Sequence, residues 1–352
     1  MSERINTHDN RATIRWKLLT GASTLVLTAC IAHVSIAKAE DATQPMFWIT
    51  LGGQFAQQKN DEEVFVPPFM LASPFGGAAH AGLEKAPPTM WDESAALTFR
   101  PDDSDWVFSA AIQFGKTSRS ENRDQHISHV PYKYFYKAYQ NPSSHSSEGH
   151  TILDFQAGKD VGLGSFGNHG SSIFSAGVRI AQFNSRNHAE IKSQPTNCGY
   201  CVYYRFYASF DGRRSFNGIG PSLSWDGSSL IAGNPSGGGI SLDWGVNGAA
   251  LFGKQKMFER HQTTKNHVTH SRFHDTNVYQ NTPTPVSRSK NAIVPNLGGF
   301  AGVSFRYANA KVTLGYRADM FFGAIDGGIA ARKSEDRGFY GPFASVSVGI
   351  GG

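Results

Sequence analysis

The chain has 352 residues, a formal charge of +5 and only 17% charged side chains, against roughly 25% in an average soluble domain. Glycine (38) and phenylalanine (25) are abundant instead, a mixture that argues against an ordinary soluble globule and suits a membrane barrel with an aromatic outside and a small-residue inside. Residues 1–39 carry five Lys/Arg and two Asp/Glu, leaving 28 against 26, or +2, for the rest, so the basic balance gives no clustered face for nucleic acid.

In chain order, the first element is an export signal. Arg11, Arg15 and Lys17 form a positive n-region, Leu18 to Ala37 an apolar stretch, and Ala37-Lys38-Ala39 an A-x-A exit. Residues 1–39 are therefore expected to be a Sec signal peptide cleaved after Ala39. Leu27-Thr28-Ala29-Cys30 also has the shape of a lipidation box; the apolar run continues past Cys30, which favours the later site. No later apolar run reaches 18 residues, so helical spans are not expected in the mature part.

The mature part shows period-2 alternation over segments of about ten residues, the length of a tilted membrane strand. Phe47, Ile49, Leu51, Gly53 and Phe55 alternate with Trp48, Thr50, Gly52 and Gln54. Trp106 to Gly115, Ile240 to Phe252, Val312 to Phe322 and Ala344 to Ile350 repeat the pattern. Intervening strands are expected near 91–100, 150–163, 171–184, 214–231 and 292–307, with Val202–Phe210 competing as a loop extension. Short links at 101–105, 164–170, 233–238 and 308–310 alternate with long polar links at about 57–90, 117–149, 185–213, 255–291 and 323–339. That is the arrangement of periplasmic turns and extracellular loops. The expectation is all-β: a transmembrane, antiparallel, up-and-down barrel over residues 40–352, with about ten strands (eight to twelve), five long extracellular loops and periplasmic termini.

Parity assigns the side chains. Trp48, Trp91, Trp106, Tyr307, Phe321 and Tyr340 lie near strand ends, where aromatic girdles belong. The polar faces supply lumen-lining candidates: Asp154, Arg179, Asp243, Asn247, Arg306, Arg317 and Asp319. These charges either bias ion passage or pair with one another and fill the lumen. Ten strands enclose a narrow lumen, since wide aqueous channels need about 16–18 strands.

Cys198 and Cys201, in C-G-Y-C, are read as a short-loop disulfide, because no βαβ unit surrounds them to suggest redox chemistry. His126, His129, His261, His267, His270 and His274 lie in long links and are read as solvated rather than metal-binding. Basic and aromatic residues are interleaved from Arg119 to Tyr139, a segment suited to lipopolysaccharide or a host surface. Neither G-x-S-x-G nor H-E-x-x-H occurs, so no enzyme, metal or cofactor is expected. The expected partners are outer-membrane lipid, lipopolysaccharide and the outer-membrane assembly machinery. Homo-oligomerisation stays open, since any flat apolar contact face is hidden within the lipid face.

Several segments also occur in a characteristic order: Asp154 to Gly164, Ala176 to Phe183, Phe216 to Pro221, Gly248 to Lys254, Val294 to Leu297, Gly315 to Asp319, and a final Gly341-Pro-Phe343. In these the chain resembles the pore-forming outer-membrane proteins of the Legionella major outer membrane protein type. The resemblance implies an outer-membrane barrel that conducts ions or small solutes. The alternative is a closed structural or adhesin-like barrel whose loops bind envelope or host partners. The chain departs from the usual aromatic end of such barrels, finishing Val348-Gly-Ile-Gly-Gly352.

Overall fold

The structure is a computed structural model that describes residues 47–59, 89–102, 104–122, 125–129, 136–161, 170–195, 203–234, 238–269, 274–282, 284–328 and 333–350. The expected signal peptide and the Cys198/Cys201 pair lie outside the described residues.

Twelve strands are described, ten of them in the barrel wall. These are β1 (Phe47–Lys59), β2 (Thr89–Phe99), β3 (Trp106–Asn122), β5 (Tyr136–Asp160), β6 (Gly170–Pro195), β7 (Tyr203–Asn234), β8 (Gly238–Thr269), β10 (Val286–Tyr307), β11 (Ala310–Asp326) and β12 (Ser334–Ile350). The short strands β4 (Gln125–His129) and β9 (His274–Asn281) only extend hairpins, pairing with β5 and β8. Every wall strand pairs antiparallel with its neighbour in sequence order. The ring closes where β1 meets β12, from Phe47↔Ile350 to Lys59↔Gly338. Closure removes both sheet edges, so the strand backbones find their hydrogen-bond partners within the wall, as hydrocarbon demands.

The alternation determines which face each side chain takes. One outward row reads Ile112, Leu153, Ile180, Ile219, Phe252, Ile293 across β3, β5, β6, β7, β8 and β10. Ile180, Ile219, Phe252 and Ile293 are exposed, which would be costly in water for so continuous a patch but is what a lipid face requires. Trp91, Trp106 and Tyr307 also point outward and are at least half exposed.

Three expectations are corrected. Phe321 is not a girdle residue: it is fully buried inside the barrel, because it continues the inward parity of Arg317 and Asp319. Trp48 also faces inward, where Arg306 lies 5.1 Å from its ring. Much of the supposed long links 117–149, 185–213 and 255–291 is strand. β5, β6, β7 and β8 run 25, 26, 32 and 32 residues, two to three times the about 9–11 residues that cross a membrane. They continue because each offers its neighbour an unbroken ladder, and polar side chains on both faces cost nothing once the wall stands in water. Val202–Phe210 accordingly resolves as the start of β7 from Tyr203 onward.

Candidate functional site

The barrel interior is layered. Nearest the short turns, Asp243 on β8 holds Lys311 of β11 at 2.5 Å and accepts from Ser228 Oγ of β7 at 2.6 Å. Arg306 covers Trp48 at the same end.

Above this lies a cavity of about 250 Å³. Its lining includes Asp154, Arg179, Asn247, Arg317 and Asp319, five of the seven residues assigned to the lumen by parity, together with Gln54, Asp92, Gln113 and Asp226. Arg179 organises one wall. Its Nε and Nη2 donate to Asp154 Oδ1 and Oδ2 at 2.7 and 2.9 Å, a bidentate pair across β5 and β6. Its Nη1 donates to Asn247 Oδ1 at 2.8 Å and to Asn296 Oδ1. Asp319 closes in on Asn247 through space that glycine leaves: a Cβ on Gly298 would sit 1.9 Å from Asp319 Oδ1. The Arg317 guanidinium lies 5.8 and 5.2 Å from the Phe300 and Phe343 rings, a cation–π setting. Opposite, Gln54 Nε2 donates to the Arg317 carbonyl at 3.0 Å, and Gln113 Nε2 to Asp92 Oδ2 at 3.3 Å.

The cavity ends under an apolar layer. Phe183, Phe216, Phe321 and Phe339 pack with Ala56, Met90, Ile152, Leu251 and Val294 as one buried cluster to which nine of the ten wall strands contribute. Each of these side chains is at most 5% exposed. Phe183 on β6 and Phe339 on β12 belong to strands on opposite sides of the ring, yet their rings lie 6.0 Å apart. Phe321 meets Phe183 edge-on at 4.8 Å. His150 lies against the same layer, 4.1 Å from Phe339, with Nε2 3.4 Å from Asp92 Oδ2.

Beyond the aromatic layer, ion pairs cross the lumen again. Arg214 Nη1 of β7 donates to Glu335 Oε1 of β12 at 2.9 Å, and Arg337 of β12 lies 3.6 Å from Glu148 of β5. Asp326, at the end of β11, accepts from Arg288 Nε at 3.0 Å and has Lys290 at 3.5 Å.

The seven parity-assigned residues therefore sit in two tiers: Asp154, Arg179, Asn247, Arg317 and Asp319 around the cavity, Asp243 and Arg306 nearer the turns. Sequence reasoning missed Asp92, Gln54, Asn296 and the whole upper network. The signal was present, since Glu148, His150 and Ile152 continue the even parity of Asp154. Of the six loop histidines singled out from the sequence, His261 packs 4.9 Å from Phe210; the side chains of His126, His129, His267, His270 and His274 lie outside the described residues.

Comparison with known proteins gives one strong likeness. Residues 109–350 match the family described as the Legionella pneumophila major outer membrane protein precursor. No curated protein matches the chain. Among solved structures, the toluene transporter TodX of P. putida is 8% identical, with 89% of this chain and 91% of that chain covered and a TM-score of 0.20. The transport unit of the autotransporter AIDA-I from Escherichia coli is 6% identical, covering 94% and 97%, with a TM-score of 0.19. At those scores neither structure bears on what this chain does.

Proposed function

Since the chain belongs to the Legionella pneumophila major outer membrane protein family, we propose that it resides in the outer membrane as a barrel whose lumen is held closed by the aromatic layer, not as a standing open channel. The supporting observation is the approach of Phe183 and Phe339 from opposite walls, 6.0 Å apart within a buried apolar cluster. Water and ions have no polar path through such a layer, and an apolar constriction blocks conduction by dewetting. The cavity beneath is a dead-ended vestibule on this reading, and the long wall of β5 to β8 presents the molecule's interaction surface.

The competing reading is a narrow passive pore. The charged cavity around Arg317 and Asp319 favours it, because mid-lumen charges are what set selectivity in a conducting barrel. Planar-bilayer recording of refolded residues 40–352 separates the two. Wild type is expected to stay silent apart from rare openings, and F183A/F339A to show sustained conductance steps. Steady wild-type conductance equal to that of the variant overturns the closed reading.

A further inference from the structure

Just above the outward apolar row, on the loop side, the chemistry of the outer face changes over one residue pair per strand. The next row reads Phe114, Thr151, Gln182, Asn217, Lys254, Asn291; the next Lys116, Gly149, Asn184, Ser215, Lys256, Ser289; the third Ser118, Ser147, Arg186, Arg213, Phe258, Ser287. Over these six strands the three rows hold five cations and no carboxylate. Glu93 extends the first row on β2, three strands away from Arg186.

Four of the cations are neighbours. Arg186 on β6, Arg213 on β7, and Lys254 and Lys256 on β8 are all exposed and span about 10 by 14 Å of wall at ordinary strand spacing. None makes an ion pair among the described residues. Arg186 and Arg213 are directly opposite one another in the ladder, an arrangement that destabilises a sheet unless an anion lies between them. Inside the barrel, by contrast, Arg179, Arg214, Arg337 and Lys311 each sit beside a carboxylate. Arg306 and Arg317, also in the lumen, lie over aromatic rings instead, whereas the four outer cations cluster without an ion pair among the described residues, at the level where hydrocarbon ends.

We propose that this patch binds a phosphorylated, multiply acylated lipid of the surrounding leaflet. Arg186, Arg213, Lys254 and Lys256 hold its phosphates, while Ile180, Ile219 and Phe252 directly below hold its acyl chains. Arginine suits phosphate because its planar fork donates two parallel hydrogen bonds. Gln182 and Asn217, between the two zones, offer amides to sugar hydroxyls or acyl carbonyls. The proposal rests on the membrane placement above but not on the state of the lumen.

The test is native mass spectrometry of the refolded mature protein, incubated with bis-phosphorylated lipid A or with its dephosphorylated form. Wild type is expected to retain the phosphorylated lipid, and less of it as salt rises. R186Q/R213Q/K254Q/K256Q should bind the lipid roughly several hundredfold more weakly, in line with roughly 1 kcal/mol per cation at a membrane surface. R186K/R213K should fall between the two. Heat-modifiable gel mobility checks that each variant has folded; if the fourfold variant does not fold, the salt dependence and the phosphate requirement of the wild type decide. Equal retention of dephosphorylated lipid, equal retention by the folded fourfold variant, or full displacement by millimolar inorganic phosphate overturns the proposal. Bilayer conductance leaves this result untouched, so failure here and failure of the closed-lumen reading are separate outcomes.

Discussion

Arg179 shows how much one residue organises. It is 6% exposed and reaches Asp154, Asn247 and Asn296 on three other strands. Removing it strands a carboxylate and two amides in the interior. R179M is expected to cost about 3–5 kcal/mol in urea unfolding of the lipid-inserted barrel, with D154L/R179M recovering a good part, as for buried pairs replaced by apolar groups. His188 differs, being outward and above the lipid belt. Its hydrogen bond to Asp211 at 2.6 Å raises its pKa; burial works against this, and Glu190 adds to it. The folded pKa lies above the unfolded one, so the stabilisation is full below about pH 6.5 and is lost as pH rises through the folded value. Both partners are nearly half exposed, so the energy stays below about 1 kcal/mol. NMR titration should place the His188 midpoint above 6.5, and D211N should bring it back.

At the scale of elements, the hairpin of β11 and β12 carries two of the four phenylalanines, Phe321 and Phe339. Between Phe321 and Ile325 the ladder slips, and Gly323 takes φ +62°, turning both Ala324 and Ile325 into the interior. An L side chain there costs about 1–2 kcal/mol, so G323A should lower the unfolding free energy measured in denaturant by that amount and loosen the apolar layer. The hairpin's far end is tied by Asp326. Burial pushes its carboxyl up, but Arg288, the Gly328 N–H and Lys290 outweigh this and hold it below the usual range. That tie contributes above the unfolded carboxylate pKa, about 3.9, and disappears as pH falls through the folded value. Hydrogen exchange should therefore show β11–β12 opening first on acidification, and D326N should open it already at neutral pH. Little of this hairpin was legible beforehand. Parity placed Arg317 and Asp319 inside, but two-residue alternation breaks at a bulge, and Phe321 at a strand end read as a lipid anchor. The same rule carried two residues past Asp319 puts it in the lumen.

For the whole molecule, strand number, order and facing were readable because lipid allows one solution: apolar out, polar in, ring closed. The extent of β5 to β8 was not readable, because beyond the membrane both faces are polar and alternation carries no contrast. The transluminal pairs were also hidden, since pattern says which way a side chain points but not what it meets across a ring. The link between Phe47 and Ile350 has a consequence for biogenesis. The opening strand finds its second partner only in the final segment, 303 positions later, a separation that makes closure slow. Until that segment arrives, β1 is an adhesive ribbon open to any neighbouring polypeptide. The vulnerable moment of a nascent barrel of this design is therefore the last seam rather than the first hairpin.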